Sequence, residues 1–402
     1  MEGFPLEILE QVVRDESLSY EDLLSFSTTC RRFKEVGDSN ETWMTKFKLA
    51  YPNLFQHFPR SKFSQIWWKK ELRKKLEIGK LVRDEVKGMS EKFFSKTELS
   101  SSDMHWFDDL LLPHNLERTF VHLYVTEELS SIISREGLVD LTSKHYAEKC
   151  ITHVKHQILK PKFTSYSEDD LTLSYEAALV MVAQWCQPVL DISDKSVAKQ
   201  LDKLAIASLS HLLELYPNHP IFTKIRSDQS DRTNVSLTQL PELATRLTSN
   251  LWSSQECHQI MSSANHVLYT VEGFMGNSGD YYNSDNSYIN RMMETNQGIP
   301  ITLCLLYTCI MARLGVHCLP VNFPGHFLLK WLEHPEEREE AKKFTFIDAF
   351  EGGRQMTGAQ AREMVPHLVT QEENFVVAEP MAVAQRMLRN LISIGKISTR
   401  KY

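Results

Sequence analysis

Residues 299–312 are the longest apolar run in the chain, broken only by Thr302 and Thr308 and closed by Arg313. The run is shorter than the roughly 18 residues a membrane-spanning helix requires. A helix this apolar over 300–314, with Gly315 suited to its C-terminal cap, has little polar face to give to water and must be enclosed by protein. The chain therefore has to build a sizeable core around it. With 402 residues, 42% hydrophobic and 24% charged, it has the composition to do so. Wholesale disorder, collagen-like and low-complexity architectures are excluded. At roughly 100–200 residues per domain, two or three domains are expected.

The 45 Lys and Arg residues are outnumbered by 52 Asp and Glu, for a net charge of -7. That balance makes no broad positive field, so neither nucleic acid nor an anionic membrane is an expected partner. The seven cysteines (Cys30, Cys150, Cys186, Cys257, Cys304, Cys309 and Cys318) contain no CxxC pair. Odd in number and thinly spread, they suit buried thiols in a reducing compartment. Glu2, Glu7 and Glu10 punctuate the apolar N-terminus, which is not the pattern of a secretory signal. A soluble intracellular protein of the cytoplasm, the nucleus or both is expected.

Residues 4–47 read as three short helices. Pro5 falls in the first turn of the first, where its missing N–H costs nothing, and Leu6, Leu9 and Val13 recur at helical spacing. Ser19 and Asp22 have capping-box spacing at the start of the second, whose apolar face is Leu23, Phe26, Cys30 and Phe33. A turn at 37–40 precedes the third, with Trp43 and Phe47 four apart. Three helices of this size enclose a marginal core, so the unit is expected to lean on a partner or on a neighbouring domain.

A connector is expected at 52–62 and a long helix from Ser64. Leu72, Leu76, Gly79 and Val86 lie on one of its faces, and Lys69, Lys70, Arg73, Lys74 and Lys75 crowd elsewhere as a solvated basic face. Residues 88–170 carry little readable pattern. Helices are expected at 173–187, ended by Pro188, at 195–216 with Ser196 as the cap, and over 240–271; 226–237 reads as a surface loop. A turn-rich stretch at 273–286 and a short helix near 288–293 lead into the apolar helix. The period then changes from helical to alternating, and 317–323, 327–331 and 343–350 read as three strands, the last two separated by a charged surface loop at 333–343. Helices at 357–367 and 381–394 close the chain, and 398–402 should fray. The fold class is mainly α with a small antiparallel β-sheet, α+β.

One constellation could carry chemistry. The buried helix begins at Gly298, His326 opens a strand, and Asp348 lies on a later one. A helix N-terminus can depress a thiol pKa, and a histidine oriented by an aspartate can act as base. This is the layout of papain-like and transglutaminase-like nucleophilic catalysis. The nucleophile's position falls at or near Pro300, which has none to offer. Thr302 lacks an activating N-terminal amine, and Cys304 lies about a turn deeper among Leu303, Leu305 and Leu306, where apolar surroundings raise a thiol pKa. Cys304 is expected in the core. His326 is read either as a packed histidine bonded to Asp348 or as part of a binding site. No catalytic residue is assigned, and His326, Asp348 and Pro300 stand as the remnant of a triad.

Metal binding has weaker support. His105, His114, His122, His145, His153 and His156 fall in one half of the chain, but only His153 and His156 share helical spacing. No acidic or cysteine partner stands at ligand spacing, so surface histidines, no metal and no other cofactor are expected. No glycine-rich phosphate loop occurs.

Two segments resemble known families. Phe4-Pro5-Leu6-Glu7-Ile8-Leu9, Asp22-Leu23-Leu24, Thr29-Cys30-Arg31-Arg32-Phe33 and Trp43 together resemble an F-box, with Phe4 where leucine is usual. Phe274-Met275-Gly276-Asn277, Asp280-Tyr281-Tyr282-Asn283, Asn286-Ser287-Tyr288-Ile289-Asn290, Gly298-Ile299-Pro300-Ile301, Ala312-Arg313-Leu314-Gly315 and Phe323-Pro324-Gly325-His326-Phe327 occur in this order. They are similar to the SirB1-type transglutaminase-like domain.

The resemblance implies an F-box at 1–50, a helical linker region at 51–164, the transglutaminase-like domain at 165–355, and C-terminal helices and tail at 356–402. It implies an adaptor that docks on Skp1, and through it on cullin-1 and a RING subunit, while holding protein substrates for ubiquitination. Pro5, Leu6, Ile8, Leu9, Leu23, Leu24 and Trp43 map to the Skp1-docking positions or their supporting core. His326 and Asp348 match the transglutaminase-like triad and the cysteine position does not, which implies a non-catalytic binding module. The alternative is an active cysteine or threonine hydrolase, or an acyl transferase, using His326 and Asp348. Longer members carry a small C-terminal β domain, and this chain is expected to be a form without it.

Overall fold

A computed structural model of the chain describes residues 5–112, 120–135, 140–165, 173–228, 247–323, 325–333, 344–364 and 375–399. The chain divides into two compact units, Met1–Pro161 and Lys162–Tyr402.

The first unit is helical: α1 (Leu6–Arg14), α2 (Tyr20–Ser27), α3 (Arg31–Gly37), α4 (Asn40–Ala50), α5 (Pro52–Gln56), α6 (Trp68–Phe93), α7 (His105–Leu111), α8 (Val121–Ser134) and α9 (Leu141–Ser165). The capping box forms as the spacing predicts: the Asp22 N–H donates to Ser19 Oγ at 3.1 Å and the Ser19 N–H to Asp22 Oδ2 at 2.9 Å. The expected second helix is in fact two. Thr28 and Thr29 turn their hydroxyls back onto the Ser25 and Phe26 carbonyls and end α2, since such side chains compete with the helical ladder. Phe26 and Phe33 still meet across the break, stacked with centroids 4.2 Å apart.

The dependence expected of this small unit is met by the chain itself. One apolar core runs from Leu9, Leu23, Phe33, Trp43 and Phe47 through Phe58, Trp68 and Val82 to Tyr124 and Val154. Phe47 packs on Trp68 at 5.2 Å and on Phe58 at 5.5 Å. The expected connector at 52–62 is therefore structural: α5 and a following 3-10 turn bring Leu54 and Phe58 into this core. The basic run on α6 is corrected in part: Lys70 and Arg73 are exposed as expected, whereas Lys69, Lys74 and Lys75 are partly or fully buried in ion pairs. Lys75 is buried 3.2 Å from the fully buried Glu128 of α8, which also takes Arg83, and Lys74 pairs with Glu71 at 2.9 Å. Lys69 pairs with Asp38. Charges buried this far persist because each has a partner.

The second unit places α10 (Tyr175–Cys186), α11 (Asp194–Leu215), α12 (Pro220–Asp228), α13 (Ser254–Asn265), α14 (Ile289–Thr295), α15 (Pro300–Arg313), α16 (Gly358–Glu363) and α17 (Pro380–Thr399) around two sheets. The short strands β1 (Met275–Gly276) and β2 (Gln297–Gly298) pair in parallel. The strands β3 (Cys318–Val321), β4 (Leu328–Leu332), β5 (Phe344–Asp348) and β6 (Arg354–Met356) form an antiparallel sheet in that order. The apolar helix is α15, and every residue from Pro300 to Met311 is buried. Gly315, in the left-handed conformation at φ 79°, ends it as expected.

The sheet is covered on both faces. Leu329, Trp331 and Ile347 belong to the core built around α15, while Val321, Leu328, Phe346 and Met356 pack with Ala361 and Phe344. The three expected strands form, and β6, too short and polar to show a pattern, adds a fourth. Ser193, not Ser196, is the N-cap of α11; Ser196 lies inside the helix, its N–H bonded to the Ser193 carbonyl at 3.0 Å. The expected helix over 240–271 is described from 247 onward, where α13 starts at Ser254 and passes into a π-helical turn, His266–Val271. Most of the expected loop at 226–237, the charged stretch at 334–343 and the tail at 400–402 lie outside the described residues.

Candidate functional site

The triad remnant is assembled on one side of α15. β5 ends at Asp348, which is fully buried. Its Oδ1 accepts the Phe350 N–H at 3.0 Å and the Glu351 N–H at 3.3 Å, and its Oδ2 lies 2.9 Å from His326 Nε2. Because the carboxylate accepts, Nε2 is the protonated nitrogen of the imidazole. Phe350 stands edge-on to the His326 ring, centroids 6.1 Å apart. Phe350 in turn lies so close to Gly276 that a Cβ there would come within 2.5 Å of the ring. β1, β5 and the β3–β4 loop thus fix one another around the imidazole.

His326 lines a cavity of about 200 Å³ together with Pro300, Ile301, Phe327, Tyr281 and Arg386. The N-terminus of α15 is where a nucleophile would be needed, and Pro300 and Ile301 occupy it. Cys304 does not line the cavity. It is fully buried, its thiol donates to the Phe327 carbonyl at 3.3 Å, and burial pushes its pKa far above the usual thiol range. Thr302 is also fully buried, its hydroxyl without a hydrogen-bond partner among the described residues. Burial raises the Tyr281 phenol as well, away from phenolate. The arrangement can hold and orient a polar group; it presents no activated nucleophile to His326 among the described residues.

Sequence reasoning missed Arg386, which comes from α17. Its Nη2 donates to the His326 carbonyl at 2.8 Å and its Nη1 to the Phe323 carbonyl at 3.1 Å and to Asn322 Oδ1. The guanidinium also stacks over Phe327, 5.1 Å from the ring centroid. It therefore fastens the loop that carries His326. A larger cleft of about 570 Å³, bounded by Gln255, His258, Gln259 and Gln355, shares no residue with this cavity. It holds none of the triad residues.

The positions mapped to docking divide into two sets. Leu9, Leu23 and Trp43 are each 1% exposed, and the Trp43 Nε1–H is spent on the Gly37 carbonyl at 2.7 Å. They point into the core and support the helices from within. Pro5, Leu6, Ile8 and Leu24 face solvent, and Val12, which sequence reasoning passed over, joins them. Of the histidines weighed as ligands, His153 is spent on Asp108, Nε2 to Oδ1 2.7 Å. Among the described residues no group of three or more His, Cys, Asp or Glu could hold a metal ion. No described helix is long and apolar enough to cross a membrane.

Residues 235–389 match the model of the transglutaminase-like superfamily. The chain is 30% identical over 397 residues to F-box only protein 21 of Homo sapiens, covering 98% of this chain and 58% of that protein. The protein of the same name from Pongo abelii gives 30% over 397 residues, covering 98% and 59%. A UPF0162 protein of Xylella fastidiosa is 33% identical over 147 residues, 33% of this chain and 48% of that protein. The chain thus spans less than two thirds of the curated relatives it matches along its length. No solved structure matches.

Proposed function

With a transglutaminase-like domain in its second unit and a likeness to F-box only protein 21 over nearly its whole length, this chain is, we propose, a substrate-holding subunit of a Skp1–cullin-1–F-box ubiquitin ligase. The observation that carries the reading is the set of apolar side chains left in water on α1 and α2. Leu6, Ile8, Val12 and Leu24 are 40–47% exposed, although the helices that bear them are otherwise well packed on the core of the first unit. An outside subunit that covers these side chains removes apolar area from water. Skp1 is the partner proposed, and cullin-1 and a RING subunit join through it, in the cytoplasm or the nucleus where such assemblies act.

The second unit is proposed as a binding module for protein substrates. Its His326–Asp348 pair is intact, but among the described residues no nucleophile stands in its reach, and a pair without one performs no acyl transfer. The test is direct. Purified full chain and Skp1 are expected to co-elute as one complex on size exclusion, and to support ubiquitin transfer to bound proteins when cullin-1, the RING subunit and a conjugating enzyme are added. Separate elution at micromolar concentrations refutes docking. The intact pair also supports a second reading, the hydrolase or acyl transferase. That reading requires covalent labelling of Cys304 or Thr302 by an acyl electrophile, lost in His326→Ala; a chain that stays unlabelled excludes it.

A further inference from the structure

We propose that the cavity beside His326 binds a carboxylate of a partner polypeptide, with Arg386 as the anchor. This inference rests on the reading of the second unit as a binding module. A guanidinium has five N–H donors. Three are used inside the protein, on Asn322, Phe323 and His326, and every one of those acceptors is a neutral oxygen. No carboxylate pairs with Arg386 among the described residues, yet it is half-buried, and burial pulls its pKa down. A cation taken partly out of water without a counter-ion is an unfavourable arrangement that an incoming anion relieves.

The rest of the lining selects the anion. A carboxylate is planar and accepts two parallel N–H bonds from one guanidinium. Ile299, Pro300, Ile301 and Phe327 offer the apolar wall that an aliphatic stem would cover. Asn390, one turn beyond Arg386 on α17, adds an amide to the same cavity. The Asp348 carboxylate lies behind the imidazole, 2.9 Å from Nε2. Its negative charge offsets part of the pull of Arg386 on any anion, so the apolar wall beside the guanidinium is what points to a carboxylate on an aliphatic stem. The carboxylate can come from a chain terminus or from an Asp or Glu side chain, and the test separates these sources.

The experiment is a methyl-NMR titration of the full chain, read at Ile299 and Ile301. The probes are acetyl-Ala-Leu-Gln-Ala with a free C-terminus, acetyl-Ala-Leu-Glu-Ala-amide, and acetyl-Ala-Leu-Gln-Ala-amide, which has no carboxylate. The expected result is binding of the first, the second or both at least about tenfold tighter than the third. Whichever binds identifies the source. Arg386→Gln and Asn390→Asp should each lose that preference. The second variant leaves every Arg386 bond named above in place and adds a competing carboxylate, so it holds the test if the first loosens the His326 loop. Equal binding of all three probes, no binding up to about 10 mM, or an unchanged preference in Asn390→Asp overturns the proposal. Tighter binding of the phosphoserine counterpart overturns the choice of carboxylate. Electrophile labelling that depends on His326 would overturn the binding-module reading even with the peptide preference intact; loss of the preference in an unlabelled chain overturns the anion site alone.

Discussion

The sharpest prediction separates the outward from the inward side chains of α1 and α2. Leu6, Ile8 and Leu24 are 47%, 42% and 40% exposed. Full burial of such a side chain is worth about 1.5–3 kcal/mol. With roughly two fifths of each still in water, the three together have about 2–4 kcal/mol to gain from a partner. At about 1.4 kcal/mol per decade, the triple variant Leu6→Ala, Ile8→Ala, Leu24→Ala should weaken Skp1 binding by roughly twentyfold to several hundredfold. Because alanine keeps the Cβ, the lower end is the firmer expectation. Alanine is the best helix former, but the packed three fifths of each side chain is worth about 1–2 kcal/mol, so each substitution should also lower stability, by less than truncation of a fully buried leucine does. Leu9→Ala is the opposite case. Leu9 is 1% exposed, and opening a cavity there should cost about 2–5 kcal/mol of stability. Interferometry on immobilised Skp1 with the full chain measures the first effect, and urea unfolding followed by circular dichroism the second. A triple variant that binds Skp1 within about threefold of the parent, or a Leu9→Ala chain that unfolds at the parent midpoint, would refute the reasoning.

Three further outcomes are expected. Glu128→Ala strips the partner from the buried Lys75 and from Arg83 and should lower stability by about 3–5 kcal/mol, read as a fall in the urea midpoint. In the native chain a thiol reagent at about pH 8 should react quickly with the half-buried Cys30 and Cys186 alone, Cys186 more slowly because burial pushes its pKa up to about 11. Cys150, Cys257, Cys304, Cys309 and Cys318 should respond only on unfolding; prompt modification of Cys304 would contradict its placement in the core. Lys96, with the Ser100 N–H and hydroxyl, holds the Asp103 carboxyl down to about 2 from 3.8. A depressed carboxyl stabilises the fold fully above its unfolded pKa and loses that contribution as pH falls toward the folded value. The parent should therefore be more stable than Asp103→Asn at neutral pH, and urea midpoints of the two should converge as pH falls from about 4 toward 2; a gap that stays constant down to about pH 2 would contradict the placement.

Much of the fold follows from short-range chemistry and is legible in the sequence. The Ser19–Asp22 capping box, the apolar helix ended by Gly315, and the alternation of β3, β4 and β5 each depend on residues a few positions apart. The conflict between a His–Asp pair and a proline at the helix start is legible for another reason: residue type alone shows that Pro300 has no nucleophile. The sequence also marks which apolar residues of α1 and α2 are available to be buried. It does not sort them, since Leu6 and Leu9 differ only in which neighbours the other helices bring.

What only the tertiary structure decides are contacts between distant segments. The first four helices become stable by sharing a core with α5, α6 and α8, so Trp43 points inward at Gly37 and Trp68 seals Phe47 from water. The basic face of α6 reads as solvated until α8 delivers Glu128 against Lys75 from 53 residues away. Arg386 shows no local signal at all; it enters the site because α17 folds back onto a loop 60 residues earlier in the chain. Periodicity and capping report the free energy of neighbours in sequence. The pairing of a buried charge, and the side of a helix that meets water, are set by whatever the rest of the chain packs beside it.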